Sequence, residues 1–338
     1  MSSGVVQLIA IGAQDKHIMG NPEISFFNSS FKRHSNFSQS IEKQTIRGSV
    51  KVNSMSSVKF DRIGDLLGYT YITVGSNTQS SSTNDWTDYI DKVELYIGGQ
   101  LIDTQDSNFT EKIAIDTMAS NVSKSALGVH PGVSGESYFY PLRFFFCESP
   151  QHAIPLIALN YHEVEIRIYW GKEVTDSLNF ECYSNYYYLD NEERGNIVSR
   201  NQNLLITQVQ KSIPSHDLIQ ELTFNHPVKY IACADTTTTN KIKIELNGLD
   251  INNFSFAKPH YIDIMNYYHT NFVTSPDFFL YCFCISTSSI QPTGTLNFSR
   301  LDSAKIISES EKITHPIYAV NYNILRIENG MAGLTYAN

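Results

Sequence analysis

The stretch Phe283-Cys-Ile-Ser-Thr-Ser-Ser-Ile-Gln-Pro292-Thr-Gly-Thr-Leu-Asn-Phe298, which runs on through Ser299-Arg300 to Lys305, has an echo earlier in the chain. The echo is Phe146-Cys-Glu-Ser-Pro-Gln-His-Ala-Ile-Pro155-Leu-Ile-Ala-Leu-Asn-Tyr161, continuing to Ile168. Sliding one stretch onto the other by 137 positions, without a gap, sets Phe146 on Phe283, Cys147 on Cys284, Ser149 on Ser286, Pro155 on Pro292, Leu159 on Leu296 and Asn160 on Asn297. Six identities in sixteen positions, against roughly one expected from ordinary composition, predict that one structural unit occurs twice. Asn185-Tyr186 matches Asn321-Tyr322 at an offset of 136, and the turn pair Gly98-Gly99 matches Asn247-Gly248 at 149. Reuse of the same residues in unrelated strands and turns is the competing explanation for so weak a repeat. The duplication places Pro155 and Pro292 at equivalent strand-edge positions.

A chain of 338 residues holds two domains of ordinary size, each with its own core. The expected division is an N-terminal arm over residues 1–23, a first domain over 24–197 and a second over 198–338. Twenty Tyr, nineteen Phe and abundant Asn and Ser are the composition of a β-rich fold with many turns. Charged residues make up only 17%, which fits either a surface largely covered by other protein or one dressed in Ser, Thr and Asn. The formal net charge of −9 opposes direct contact with a phosphate backbone, so nucleic acid is not an expected partner. Five Cys, an odd number, form no paired framework and point to reduced thiols. The N-terminus lacks the pattern of a signal peptide, and no apolar run approaches the ~18 residues of a membrane span. Six Asn-x-Ser/Thr sequons begin at Asn28, Asn36, Asn108, Asn121, Asn253 and Asn297. Without a secretory signal they read as products of a chain rich in Asn and Ser.

Val5 to Ile11 is a short apolar stretch in the arm, in need of a partner that is either the chain's own core or a neighbouring subunit. Ile24 to Phe31, with three Phe, reads as strand-like and ends in the basic cluster Lys32-Arg33-His34. Alternation predicts strands within Gly48 to Asn53, Ser57 to Asp61 and Leu66 to Val74, a loop over Gly75 to Asp85, and a hairpin over Trp86 to Ile102 turning at Gly98-Gly99. Phe109 to Met118 is the helix candidate of the first half, and 120–137 reads as loop. Further strands are expected over Tyr138 to Cys147, within Ile154 to Trp170, and over Phe180 to Leu189, followed by a polar connection at Asp190 to Arg200. The second half repeats the plan with strands at Leu204 to Gln210 and Leu222 to Cys233, a loop at 235–240, and a hairpin at Ile242 to Ile251. Tyr261 to Tyr268 stands where the first half has its helix. Strands at Phe278 to Ser286, Gly294 to Ile307 and Ile317 to Ile327 lead to a loose tail after Gly330. About eight strands per half with one short helix each predict an all-β chain of two tandem antiparallel eight-stranded sandwiches, for which the jelly roll is one topology among other Greek keys.

No catalytic, cofactor-binding or metal-ligating residue emerges. His162-Glu163 lacks the second histidine of a zinc helix, since position 166 is Ile, and the segment alternates like a strand. His130, His226 and His315 each precede Pro, which suits extended segments and turns rather than a metal triad. Cys282 and Cys284 share one face of a strand and read as core filling. Phosphate loops of the Walker type and Gly-x-Ser-x-Gly elbows are absent.

Several stretches in order along the chain carry a resemblance: Gly12-Ala-Gln-Asp with Gly20-Asn-Pro, Phe31-Lys-Arg-His-Ser-Asn-Phe, and Val93-Glu-Leu-Tyr-Ile-Gly-Gly-Gln-Leu-Ile-Asp. They continue with Pro155-Leu-Ile-Ala-Leu-Asn-Tyr-His-Glu-Val, Phe224-Asn-His-Pro-Val-Lys-Tyr, Gln291 to Asp302, Tyr318 to Ile327, and Gly330-Met-Ala-Gly-Leu-Thr-Tyr. The chain resembles the double jelly-roll major capsid proteins of nucleocytoplasmic large DNA viruses, though with shorter loops between strands. The resemblance implies a structural protein, not an enzyme, that needs no cofactor. It implies a homotrimer of pseudo-hexagonal outline that meets neighbouring capsomers and other capsid proteins in an icosahedral shell. It also implies a place in the virion capsid after synthesis in host cytoplasm, with an internal viral membrane as a possible neighbour. A minor or specialised capsid role stays open, as do a carbohydrate-binding sandwich, with Trp86 in a loop stacking on sugar, and a jelly-roll enzyme.

Overall fold

The computed structural model describes residues 3–76, 86–121, 124, 139–175, 178–234, 240–271 and 278–336, and its backbone falls into two units, Met1–Asn36 and Phe37–Asn338. In the first unit Ser3–Ile9 and Lys16–Met19 are short helices, and residues 20–36 contain no helix or strand. The strand-like reading of Ile24 to Phe31 is therefore not realised. Phe26, Phe27 and Phe31 are almost bare: a strand needs a neighbour to satisfy its backbone, and aromatic content alone does not supply one.

The second unit opens with eight principal strands: β1 (Phe37–Gln44), β2 (Met55–Lys59), β3 (Leu66–Ser76), β4 (Ile90–Ile97), β5 (Gln100–Asp106), β6 (Phe139–Pro141), β7 (Val164–Trp170) and β8 (Leu178–Leu189). They form two antiparallel sheets, β1-β8-β3-β6 and β2-β7-β4-β5, with short strands Ile154–Pro155 on β3 and Ile46–Gly48 on β2. A second set follows: β9 (Gln202–Ser212), β10 (Ile219–Glu221), β11 (Pro227–Cys233), β12 (Lys241–Leu246), β13 (Leu249–Asp250), β14 (Phe279–Cys282), β15 (Ala304–Ser308) and β16 (Ile317–Glu328). Its sheets are β9-β16-β11-β14 and β10-β15-β12-β13. The two orders coincide strand for strand, and each is that of a jelly roll, so the fold is two jelly rolls in tandem.

The hairpin turns are where the repeat is most literal. Gly98 and Gly99 join β4 to β5 with φ of 58° and 80°, and Asn247 and Gly248 join β12 to β13 with φ of 51° and 77°. Both central residues are left-handed, as a two-residue turn matched to the strand twist demands. The expected helices form at matching places. The first is helical from Ser107 through Thr117, with a π-turn over Thr110–Ala114. The second is helical through Lys258–Asp263, also a π-turn, and Ile264–His269.

Several expectations need correction. Pro155 lies in the short strand paired with Leu66, whereas Pro292 lies in no strand. The counterpart of Ile154–Pro155 is Leu296–Asn297, which pairs with the start of β11. Each of these short strands leads into a single 3-10 turn, Leu156–Ala158 or Phe298–Arg300. The gapless offset of 137 thus matches sequence a few residues out of step with structure, although Asn185-Tyr186 and Asn321-Tyr322 do fall in the equivalent strands β8 and β16. The aromatic run before Cys147 is a strand only over Phe139–Pro141 and a helical turn at Phe145–Glu148, because aromatic content signals burial rather than an extended backbone. Tyr138, residues 77–85 and 235–239, and most of 120–137 lie outside the described residues. The polar connection is a helix, Asn191–Ser199, whose N-cap Asp190 accepts hydrogen bonds from the Glu192 and Glu193 amides at 2.8 and 3.2 Å. The tail after Gly330 is not loose: Met331–Leu334 forms β17, antiparallel to β16.

Candidate assembly surfaces

Burial sorts the molecule into three apolar clusters, and the third sets the geometry of the whole. The first fills the space between the sheets of roll one, with Leu67, Ile72, Leu95, Ile166, Trp170 and Phe180 at its centre. The second does the same for roll two, with Val228, Ile231, Ile244, Tyr261, Phe279 and Phe298. The third lies between the rolls: Phe109 and Ile113 from helix 107–117, with Met118 just after it, pack against Tyr230, Ala232, Leu280, Tyr318 and Val320. In β11 and β16 alternate residues therefore point into roll two and into the seam, so both faces are covered. That is why Tyr230-Ile-Ala-Cys and Ile317-Tyr-Ala-Val are continuous apolar runs, while β7, covered on one face, alternates buried and half-buried residues.

Beside this apolar patch the seam is polar and paired. The Val209 amide donates to Asp103 Oδ1 at 2.8 Å, and Gln208 donates to the Ile102 carbonyl while accepting from Asn323 Nδ2 at 2.8 Å. Asp106 Oδ2 takes Lys211 Nζ at 2.6 Å and Tyr318 Oη at 2.7 Å. Tyr230 Oη donates to Thr117 Oγ1 at 2.9 Å. Burial raises the Asp103 carboxyl to about 7 from its ordinary value, against the pull of the Val209, Gln105 and Thr104 donors. At the far end β17 reaches back to roll one. Ala332 joins the first cluster, its amide donates to His162 Nδ1 at 3.1 Å, and the Leu334 amide donates to Gln100 Oε1 at 3.2 Å. His162, considered above as a zinc ligand, is a fastener between the rolls.

The remaining residues that invited chemistry stay apart. Cys282 and Cys284 border the seam cluster, Cys284 fully within it, and all five cysteines are free. Among the described residues no group of three or more His, Cys, Asp and Glu is placed to hold a metal, and His130 lies outside those residues. Trp86 is not a sugar platform. It opens the helical turn Trp86–Tyr89, is 5% exposed, and its ring packs on Tyr89 and Tyr140 with centroids 6.0 and 5.4 Å away.

The outer faces of roll two carry apolar side chains that no core absorbs. Leu249, Phe254 and Phe256 stand exposed on the β12–β13 side, where Lys243 lies 5.2 Å from the Phe254 ring and Lys241 5.4 Å from the Phe256 ring. Ile264, Tyr267 and Tyr268 are exposed on helix 258–269. Apolar and aromatic side chains gathered with few charges are the composition of protein contact surfaces. The first unit adds Val6, Leu8, Ile9, Ile11 and Ile18, all bare.

Two jelly rolls fastened along a fixed seam define the class, a double jelly-roll protein. The family model "Major capsid protein N-terminus" matches residues 25–190, and "Large eukaryotic DNA virus major capsid protein" matches residues 233–333. The major capsid protein of Pyramimonas orientalis virus is 31% identical over 401 aligned positions that take in the whole of both chains. That of Paramecium bursaria Chlorella virus 1 is 30% identical over 447, again across both chains. Both alignments run well past this chain's 338 residues, so the relatives carry additional residues. A chain of the PBCV-1 virus capsid superposes with a TM-score of 0.79 at 26% identity, covering 93% of this chain and 100% of that one. The Faustovirus major capsid protein shares the fold, with a TM-score of 0.65 at 10% identity over 94% of each chain. The chain belongs to the major capsid protein family of large eukaryotic DNA viruses, and its role is structural rather than enzymatic.

Proposed function

We propose that three copies of this chain close into a homotrimer with a pseudo-hexagonal outline, and that this capsomer meets its neighbours to tile an icosahedral shell. The observation that carries the reading is the identity of strand order in the two rolls: one chain presents two similar corners, and three chains present six. A three-fold contact of this kind is heterologous and closes on itself, and many modest contacts repeated by symmetry give a stable shell. The exposed apolar side chains of roll two and of the first unit supply surface to bury in such contacts. The division proposed is an arm over 1–23 and rolls over 24–197 and 198–338; its first boundary falls inside the unit Met1–Asn36 and its second inside the linker helix Asn191–Ser199. Five free cysteines suit synthesis in a reducing host cytoplasm before incorporation into the virion. A place close to an internal viral membrane belongs to the same reading. A net charge of −9 argues against direct contact with nucleic acid. Native mass measurement is the test: a species of three chains is expected, and monomer alone at high concentration would overturn the proposal.

A further inference from the structure

The stretch Phe224-Asn-His-Pro-Val-Lys229-Tyr contains a lysine for which the assembly reading has no use. Lys229 sits at a β-bulge: Val228 opposes Asn321 and Tyr230 opposes Val320, leaving Lys229 between them without a cross-strand partner on β16. A bulge re-aims the side chain it carries, and this one is taken into the seam between the rolls. The residue is 4% exposed. Its Nζ donates to the Thr287 carbonyl at 2.8 Å and lies 5.1 Å from the centroid of the Tyr322 ring. No carboxylate among the described residues forms an ion pair with it. Glu148, which lines a cavity together with Lys229, is engaged by Arg143 at 3.4 Å.

A cavity of about 50 Å³ lies beside Lys229, lined also by Tyr322, His152, Glu148 and Thr207. Tyr322 lines the cavity, and its buried Oη has no hydrogen-bond partner among the described residues, a costly condition for a hydroxyl. Glu148, which lines the cavity, is engaged by Arg143 from outside its lining, so the Lys229 ammonium has no carboxylate to itself among the described residues. Burial pushes the Lys229 amine down from its ordinary value, and burial, then the charge of Lys229, push His152 down as well. An ammonium with two unfilled donor positions and an idle hydroxyl together form a donor set for an anion. A cavity of this volume has room for a small ion or for water. We propose that this cavity binds a small monovalent anion of halide size, held by the Lys229 ammonium and the Tyr322 hydroxyl, and that the bound anion helps lock roll one to roll two.

Thermal unfolding of the full chain in chloride-free buffer, titrated with sodium bromide or with sodium gluconate at constant ionic strength, tests this. A saturable rise in Tm is expected with bromide and none with the bulky gluconate. Crystals grown with bromide should show one anomalous peak within hydrogen-bond reach of both Lys229 Nζ and Tyr322 Oη. Lys229→Met should abolish the bromide response. Should that variant not fold, Tyr322→Phe still decides: it should fold and should shift the bromide midpoint to about tenfold higher concentration, the effect of one lost hydrogen bond to an ion. Equal responses to the two salts, or a Tyr322→Phe midpoint unchanged from the parent, would show that the cavity holds water only and would overturn the proposal.

Discussion

Gly98 and Gly248 occupy related turns but are constrained differently. Both have positive φ, and a Cβ at Gly248 would meet open space, whereas one at Gly98 would overlap the His162 ring. Gly248→Ala should therefore cost only the left-handed backbone, roughly 1–2 kcal/mol. Gly98→Ala should cost at least twice as much, because His162 is already held by Ala332 and cannot withdraw freely. Denaturant unfolding of the two variants checks the order. Asp103 makes a pH-dependent contribution. Its carboxyl titrates at about 7 in the fold and near 4 when unfolded, so the folded chain keeps a proton that the unfolded chain has released. The contribution is fully present below about pH 4 and is lost as pH rises through about 7, amounting to at most about 4 kcal/mol. Unfolding free energies measured from pH 4 to 8 should fall more steeply for the parent than for Asp103→Asn. At this scale the sequence was informative where one residue type has one job. The Gly-Gly and Asn-Gly pairs declared their turns, while Trp86 was misplaced because the Ser- and Thr-rich tract before it conceals that the indole turns inward.

Among the elements, the most legible were those whose hydrogen bonds are local or whose faces differ. Helix 107–117 fell on the helix candidate of the first half, helix 258–269 on its counterpart in the repeated plan, and β7 on a segment that alternates. Strand β17 was missed although the signal was present: Asn329 and Gly330 have φ of 52° and 80°, the same turn that Asn247-Gly248 makes. The two prolines misled because loops of different length separate the equivalent strands, which a gapless shift cannot follow. Residues 3–36 are exposed almost throughout, and none of them is buried. Deleting residues 1–36 should leave the unfolding midpoint within about 1 °C of the full chain, since unburied contacts contribute little, while raising the concentration at which oligomers form. A large loss of thermal stability would contradict this, and sedimentation velocity reads the oligomer.

At the scale of the whole molecule, the double roll was legible in the strand count of each half and in the paired turns Gly98-Gly99 and Asn247-Gly248 rather than in the gapless match of Pro155 to Pro292, whereas the seam was not legible. The runs in β11 and β16 announce burial on both faces but do not name what covers them; here it is helix 107–117 from the other roll. Likewise the polar pairing of Asp103, Gln208 and Asp106 joins residues about a hundred positions apart, a distance over which no local pattern speaks. The seam fixes two similar rolls side by side, and the proposed three-fold capsomer rests on that arrangement. Single-particle imaging of the purified oligomer tests this most directly. The expected averages show a six-cornered outline whose density obeys only three-fold symmetry, with two rolls per chain; a two-fold particle, or isolated chains at assembly concentrations, would contradict it.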